Sequence, residues 1–599
     1  VHPLVRLYRA LSARRRRQLL MMLAAMLAGA AAELVTIAAV LPFLAFLTRG
    51  GRAAMPAAAA RWLAALGIDG IVSASLLLIA GAVTAAAVRL LLLALNQRFV
   101  MAVSHDIATA LFGRMLRQPY ADYVKRNSSE ALASMEQVRD LAAGALQPLM
   151  QGAVAAIMAL LIGALLFAIS PLATLAAALF IGFVYAGISL LTRARLRANS
   201  RVLAAAARQR VKMIQEGLGG LRDIILDRSQ PLFEESFRTL DRRFRRAVSV
   251  NAFISQGPRF VIEAAGLAII ALIALVMSHR PGGLVHAIPV LGALALGSQR
   301  LLPLIQQAYQ GWSQTAGNLQ AIDDVASALA QPVLPLPAPG AAPLPFAQEV
   351  AFEAVSFGYG NAGPAVRDVS LAIRRGARIG IAGTTGSGKS TLLDLLMGLL
   401  EPTSGSIKVD GSPLDAETRP RWQAALAHVP QAIFLIDDSI AANIAFGAAP
   451  GRIDPERVRA CARAAHVAEF VESLPDAYET RVGERGIRLS GGQRQRIGIA
   501  RALYKQAKVL ILDEATSALD DQTEAAVIRS IMALGPELTI VMIAHRRSTL
   551  EGCDRIVRME GGRIVEVLDR GGPSADAGPA PKVDIKIKGR RPMPPSLHK

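Results

Sequence analysis

Charge-free stretches long enough to cross a bilayer alternate with basic ones through the first half of the chain. Residues 18–32 and 34–48 carry no charge and are parted only by Glu33; 70–97 is interrupted only by Arg89; 141–192 has no charged residue at all. A membrane-spanning helix needs about 20 apolar residues, so 141–192 predicts two helices with Ser170-Pro171 in "AISPLAT" as the hairpin between them. Residues 261–278 and roughly 284–310 complete six predicted spans. Any one of them could be a soluble core helix. Six together exceed what globular helices, averaging about 11–12 residues, account for.

The pattern changes at "AQPVLPLPAPGAAPLPF", 330–346, where proline spacing predicts a semi-rigid extended linker. Beyond it, short apolar runs such as "RIGIAG", "VLILDEA" and "TIVMIAH" read as strands of a soluble α/β region. The expected organisation is a membrane domain over 1–330, a linker over 331–346, a soluble domain over 347–570 and a basic tail over 571–599. The tail lacks periodicity and is expected to be disordered. No repeat of 20–50 residues is visible.

Charge decides the orientation. The chain has 599 residues, 53% of them hydrophobic, and a net charge of +20 that could suggest nucleic acid. Its placement argues against that partner: residues 1–17 hold six Lys/Arg, 98–140 six and 193–246 fourteen, whereas 49–70 holds three, the turn near 170 none and 279–283 one. Basic connections on one side of a membrane are the cytoplasmic ones. This predicts a multi-pass protein of the cytoplasmic (inner) membrane with both termini cytoplasmic, whose basic N-terminal segment meets anionic lipid headgroups. The first apolar run is too long for the 7–15-residue core of a cleavable signal peptide. Cys461 and Cys553 lie in the soluble half, where thiols rather than a disulfide are expected.

Chemistry concentrates in that half. "RIGIAGTTGSGKSTLLDLLMGLL" is strand, glycine loop and amphipathic helix. Gly383, Gly386 and Gly388 let the backbone wrap phosphates, and the helix N-terminus adds positive potential. Lys389 can reach the β/γ-phosphates and the Ser390 hydroxyl can ligate Mg²⁺. The nucleotide contacts expected here are Gly383, Thr384, Thr385, Gly386, Ser387, Gly388, Lys389, Ser390 and Thr391, with ATP and Mg²⁺ as the bound species. "KVLILDEATSALD" is an apolar strand ending in Asp513-Glu514; one carboxylate can hold Mg²⁺ and the other can polarise the attacking water. The plain alternative is an ordinary strand-end turn. Between the two segments stands "RLSGGQRQRIGIARALY", in which Ser490 is placed to cap a helix and Gly491-Gly492 to expose backbone N–H groups as a second anion site.

That turn, between a phosphate loop and an acidic strand, resembles the signature motif of the ATP-binding cassette (ABC) transporters. The resemblance extends to about residue 570. It implies an exporter-type fold: an α-helical membrane domain of six spans followed by an α/β P-loop cassette. It also implies roles for matching positions. Tyr359 in "SFGYG" corresponds to the aromatic stacked on adenine, and Gln431 in "HVPQAIF" to the glutamine that senses Mg²⁺ with Ser390 and Asp513. Glu514 corresponds to the general base, His545 to the switch histidine, Asp520 to the D-loop aspartate and Glu484 to a coupling glutamate. One cassette with six spans is half a transporter, so the resemblance implies a homodimer in which Ser490, Gly491, Gly492 and Gln493 of one subunit close over the phosphate loop of the other. The segments 117–129 and 215–230 look like the coupling regions of such exporters.

"AELVTIAAVLPFLAF", "QEGLGGLRDIILD", "PRFVIEAAG" and "ALGSQRLLPLIQQAY" are similar to PglK-type lipid-linked oligosaccharide flippases and related bacterial glycan exporters. This implies a membrane-lipid substrate bearing a glycan; a generic exporter of lipid, drug or peptide is the competing reading, and a cassette-regulated channel a further one. In such flippases a small external helix contacts lipid, and the amphipathic 56–68 falls at its place; a simple loop helix is the alternative. An anionic headgroup crossing an apolar slab needs cations inside the bundle, and Arg89, Arg259 and Arg300 are placed to supply them. Arg259 and Glu263 stand four apart on one helix face, a cavity-facing pair or a plain helix salt bridge. Arg89 is open to a snorkelling role, and Glu33 to charge neutralisation.

Overall fold

The structure, a computed structural model, describes residues 2–47, 70–125, 128–169, 171–278, 301–335, 342–360, 363–449, 451–516, 518–544, 546 and 550–570. The expected external helix at 56–68, most of the sixth span with Arg300, His545 and the tail 571–599 lie outside these residues. Contacts divide the chain into two compact units: Val1–Gln118 with Asp122–Val333, and Leu334–Lys599 with Pro119–Ala121.

The first unit is helical. Helices Ala13–Leu47, Ile71–Met115, Gln147–Ile169, Pro171–Gly219 and Pro258–Ser278 carry the first five apolar runs, and a helix over 301–317 carries the end of the sixth. Three stretches among the described residues, Ile71–Met115, Glu130–Leu165 and Ala178–Gly219, are long and apolar enough to cross a membrane. The first and sixth expected spans run into residues outside the described set. Large apolar side chains such as Leu90, Leu160, Phe183 and Leu191 are exposed on these helices, an outer face suited to lipid rather than water.

Two features depart from the hydropathy pattern. The helices do not stop where charge begins: Ile71–Met115 runs through Arg98, His105 and Asp106, and Pro171–Gly219 through Arg193–Arg210, because no proline interrupts either polar extension. The charge-free run from 141 is also not uniform. Ala142–Leu146 is one π-helical turn ahead of Gln147–Ile169. A π-turn disturbs the regular ladder of carbonyl acceptors, and here Asn318 Nδ2 donates to Gly144 O at 3.0 Å and Thr315 Oγ1 to Ala145 O at 3.3 Å.

The second unit is built on two sheets. Four antiparallel strands pair in the order β2-β1-β4-β5: β1 Glu349–Gly358, β2 Pro364–Arg374, β4 Ser404–Val409 and β5 Ser412–Pro413. The larger sheet has the order β10-β9-β3-β8-β7-β6. Its strands are β3 Arg378–Gly383, β6 Leu426–Val429, β7 Val509–Asp513, β8 Thr539–Ile543, β9 Arg555–Glu560 and β10 Arg563–Asp569. Strands β6, β7, β8, β3 and β9 pair in parallel. Parallel strands buried on both faces read as continuous apolar runs, and β8 is buried at all five positions. One apolar cluster, including Val355, Val366, Ile381 and Leu392, fills the space between the two sheets and the helix Lys389–Leu396. Another, including Ile497, Ile499, Leu510 and Val527, packs the helix Gly491–Tyr504 on the larger sheet. The carboxyl ends of β3, β7 and β8 therefore share one edge, the usual location of a ligand crevice in such sheets.

Candidate functional site

At that edge β3 ends on Gly383 and the chain turns through a glycine loop into the helix Lys389–Leu396. Gly388 caps this helix at φ 97°, and a Cβ there would stand 2.4 Å from the Ala365 carbonyl oxygen. Only glycine fits both the backbone angle and the space. The buried Lys389 ammonium folds back on the loop and donates to the Gly383 and Thr384 carbonyls, both at 3.0 Å. The Ser387 hydroxyl is buried and meets no hydrogen-bond partner among the described residues. An orphan hydroxyl beside an ammonium, over a helix N-terminus, is a cradle suited to phosphate oxygens. Tyr359 lies one residue beyond Gly358, which pairs with Pro364; Ala365, next in β2, abuts Gly388. Its ring meets Phe357 edge-on at 5.0 Å.

The acidic pair ends β7. Burial, and then the neighbouring Glu514, push the Asp513 carboxyl up, while a hydrogen bond with Ser390 and the Lys389 charge pull it back. Glu514 sits at φ 49°, a left-handed conformation that is strained for a residue with a Cβ. Its amide donates to Ile543 O at 3.1 Å, and its carboxylate accepts from Gln431 Nε2 at 2.7 Å. Gln431 thus contacts Glu514 through nitrogen and retains its amide oxygen as a donor for a cation. The Ser390 hydroxyl, the Asp513 carboxylate and that amide oxygen are hard oxygen ligands, which suit Mg²⁺ completed by phosphate and water.

Ser490 caps the helix Gly491–Tyr504. Gln493 N donates to Ser490 Oγ at 3.2 Å and Ser490 N to Gln493 Oε1 at 2.7 Å, a reciprocal capping box. Gly492 lies so close to the turn after β7 that a Cβ would be 3.2 Å from Ala518 O, and the buried Gln495 accepts from Ala518 N at 3.0 Å. Asp520 caps the next helix, Asp521–Met532, accepting from Thr523 N at 2.9 Å, and the Thr523 hydrogen bonds hold its carboxyl below the ordinary range. Glu484 is exposed at the start of a short turn, Glu484–Gly486.

Sequence reading missed two carboxylates here. Glu524, 5% exposed, accepts from Thr516 Oγ1 at 2.8 Å and from Arg546 Nη1 at 2.5 Å, and Arg546 also pairs with Asp521. This ties the residue after His545 to the helix that Asp520 caps. Asp394 was hidden inside the apolar "LLDLLMGLL"; burial and the Asp513 carboxylate push it up to about 6. Asp394→Asn is therefore expected to stabilise the protein at pH 7 by about 1 kcal/mol, a value reduced for its partial exposure. Because the folded pKa is raised, the wild-type penalty is complete above about pH 6 and fades toward the ordinary value of 3.8. Thermal melts of both proteins at pH 7 and pH 4 test this; a gap that does not narrow at pH 4 would exclude carboxylate burial as its source.

In the helical unit, Arg259 Nε donates to Glu263 Oε1 at 2.6 Å with both side chains largely exposed. Arg89 is ion-paired with Glu33, which is only 3% exposed.

The chain was compared with known proteins. An ABC transporter family model matches residues 366–517, and an ABC transporter transmembrane region model matches 38–281. An ATP-dependent lipid A-core flippase of Burkholderia pseudomallei (strain 1710b) is 35% identical over 395 residues, 63% of this chain and 64% of that protein. The match thus spans a little under two thirds of that relative's length. A protein of the same name from Ralstonia nicotianae is 33% identical over 488 residues, covering 78% of this chain and 80% of the relative. Among solved structures, a bacterial Atm1-family ABC exporter with ATP bound matches with a TM-score of 0.72 at 24% identity, covering 93% of this chain and 96% of that one.

Proposed function

This chain belongs to the ABC transporter family, with membrane and nucleotide-binding regions fused in one polypeptide, and on that premise we propose that it is an ATP-driven flippase. As a homodimer in the cytoplasmic membrane, it moves a lipid-linked oligosaccharide or related glycolipid from the cytoplasmic side. The observation that carries this reading is the 33% identity over 488 residues to a protein named an ATP-dependent lipid A-core flippase, a stretch too long to lie within either region alone.

The site residues divide the work as follows. Loop amides from Thr384 to Thr391 and the Lys389 ammonium hold the phosphates, and the Tyr359 ring stacks on the adenine. Ser390, Asp513 and Gln431 would hold Mg²⁺, which would supply charge neutralisation at the phosphates. Glu514, oriented by its hydrogen bond from Gln431, accepts the proton of the attacking water. His545 completes the γ-phosphate contacts. Ser490, Gly491, Gly492, Gln493 and Asp520 face the nucleotide held by the second copy. Arg259 and Arg300 receive the anionic part of the substrate headgroup, because a guanidinium fork binds phosphate bidentately.

Arg259→Ala and Arg300→Ala are each expected to abolish glycolipid-stimulated ATP hydrolysis while basal hydrolysis persists, and lysine should rescue only partly. The measurement is ATPase stimulation of reconstituted protein across a panel of lipid-linked glycans, phospholipids and drugs. Stimulation by a glycan-free lipid or a drug, with none by lipid-linked glycans, would contradict the glycolipid reading.

A further inference from the structure

The helical unit carries a half-open cavity of about 430 Å³ whose polar lining is Glu33, Arg89, Asn96, Gln151 and Gln307, set among aliphatic side chains and Met158. Four helices contribute: Ala13–Leu47, Ile71–Met115, Gln147–Ile169 and the helix over 301–317. The volume falls in the range of about 300–1,000 Å³ typical of small-molecule sites.

The charges in this cavity cancel. Glu33 is buried and ion-paired with Arg89, so the guanidinium already has an anionic partner. A phosphate arriving at Arg89 would have to compete with Glu33 and would be repelled by it. What the cavity offers instead is hydrogen bonding. Asn96 is 3% exposed, lines the cavity, and its Oδ1 meets no hydrogen-bond partner among the described residues. A buried amide oxygen in apolar surroundings is costly unless a ligand donates to it. Gln151 and Gln307 add two more carboxamides to the same walls. A carboxamide donates and accepts at once, the complement of a hydroxyl, which does the same.

We infer that this cavity is a subsite for an uncharged, hydroxyl-bearing sugar unit of the transported lipid. The inference rests on the glycolipid reading above and separates two tasks: the sugar is held here, and the anionic group is held elsewhere.

The test is native mass spectrometry of the full-length protein in a sugar-free detergent, titrated with monoglucosyl diacylglycerol, with diacylglycerol and with phosphatidic acid of the same acyl chains. The wild type is expected to bind the glucosyl lipid at least about fivefold more tightly than the other two. Asn96→Leu and Gln151→Leu should each erase most of that preference, a loss of about five- to tenfold. Asn96→Ala, smaller than the native residue, should do the same if leucine disturbs folding. Glu33→Gln removes the carboxylate that repels an arriving phosphate and should raise phosphatidic acid binding instead. The subsite is overturned if the wild type has no preference for the sugar, if it prefers phosphatidic acid, or if folded Asn96 and Gln151 variants keep the preference. Sugar-dependent binding lost in these variants, with no ATPase stimulation by any glycolipid, would leave the subsite standing and refute glycolipid transport. Stimulation by lipid-linked glycans with unchanged binding in the variants would do the reverse.

Discussion

Glu514→Gln is expected to slow ATP hydrolysis by about 10²–10⁴-fold while nucleotide still binds, the usual cost of removing a positioned base. Glutamine keeps the size and the hydrogen-bonding capacity that tie this position to Gln431, but it cannot take a proton from water. The phosphate cradle keeps its own contacts, since Lys389 donates to the loop carbonyls of Gly383 and Thr384. The variant should therefore accumulate with ATP bound and its cassettes closed as a dimer. Steady-state hydrolysis beside fluorescent-nucleotide binding measures both halves of the expectation. Hydrolysis near the wild-type rate would remove Glu514 from the role of base.

The second large effect concerns which subunit supplies which part. Lys389→Ala should reduce hydrolysis by about 10²-fold or more, because the γ-phosphate loses a preorganised cation. Ser490→Ala should also impair hydrolysis, yet it leaves the phosphate loop of its own subunit intact. Ser490 caps its own helix, so alanine also costs about 1 kcal/mol of helix stability. Ser490→Asp keeps the cap while placing a negative charge at the proposed phosphate contact, and loss of hydrolysis there cannot be assigned to the cap. Mixed dimers then read the arrangement. With Lys389→Ala on one subunit and Ser490→Asp on the other, one composite site carries both lesions and its twin carries neither. With both substitutions on one subunit and a wild-type partner, each site carries one lesion. The first dimer should be clearly the more active. Equal activity would contradict a signature motif acting across the interface.

The parts legible in the sequence were those fixed by local constraints. The strand–loop–helix at 378–396 was visible because glycines at set offsets and an apolar run each permit little else. The spans were visible because a membrane excludes charge over a known length. What escaped was non-local. Charge neutralisation by Glu33 was legible as an alternative, but not that its partner is Arg89, 56 residues away, or that their pairing adjoins a cavity whose other polar groups are carboxamides. Asn96 stands among the last residues of an apolar run, where its sequence neighbours give no sign of a cavity. The burial of Glu524 depends on Thr516 and Arg546, which come from segments on either side of its helix. The π-turn at Ala142–Leu146 was invisible for a related reason. The stretch 141–169 carries no charge to mark the turn, and the side chains that bond its carbonyls, Thr315 and Asn318, come from far along the chain.

ATP-driven movement of a glycan-bearing lipid is measured most directly in proteoliposomes whose cassettes face outward. A polyprenyl-diphosphate-linked oligosaccharide, radiolabelled in its sugars, is placed in the outer leaflet and scored by its accessibility to an external glycosidase. With Mg²⁺ and ATP added outside, the labelled sugar should become protected in wild-type vesicles and remain accessible in Glu514→Gln vesicles. Sugar that stays accessible in wild-type vesicles, while a glycan-free lipid or a drug is moved under the same conditions, would contradict the account.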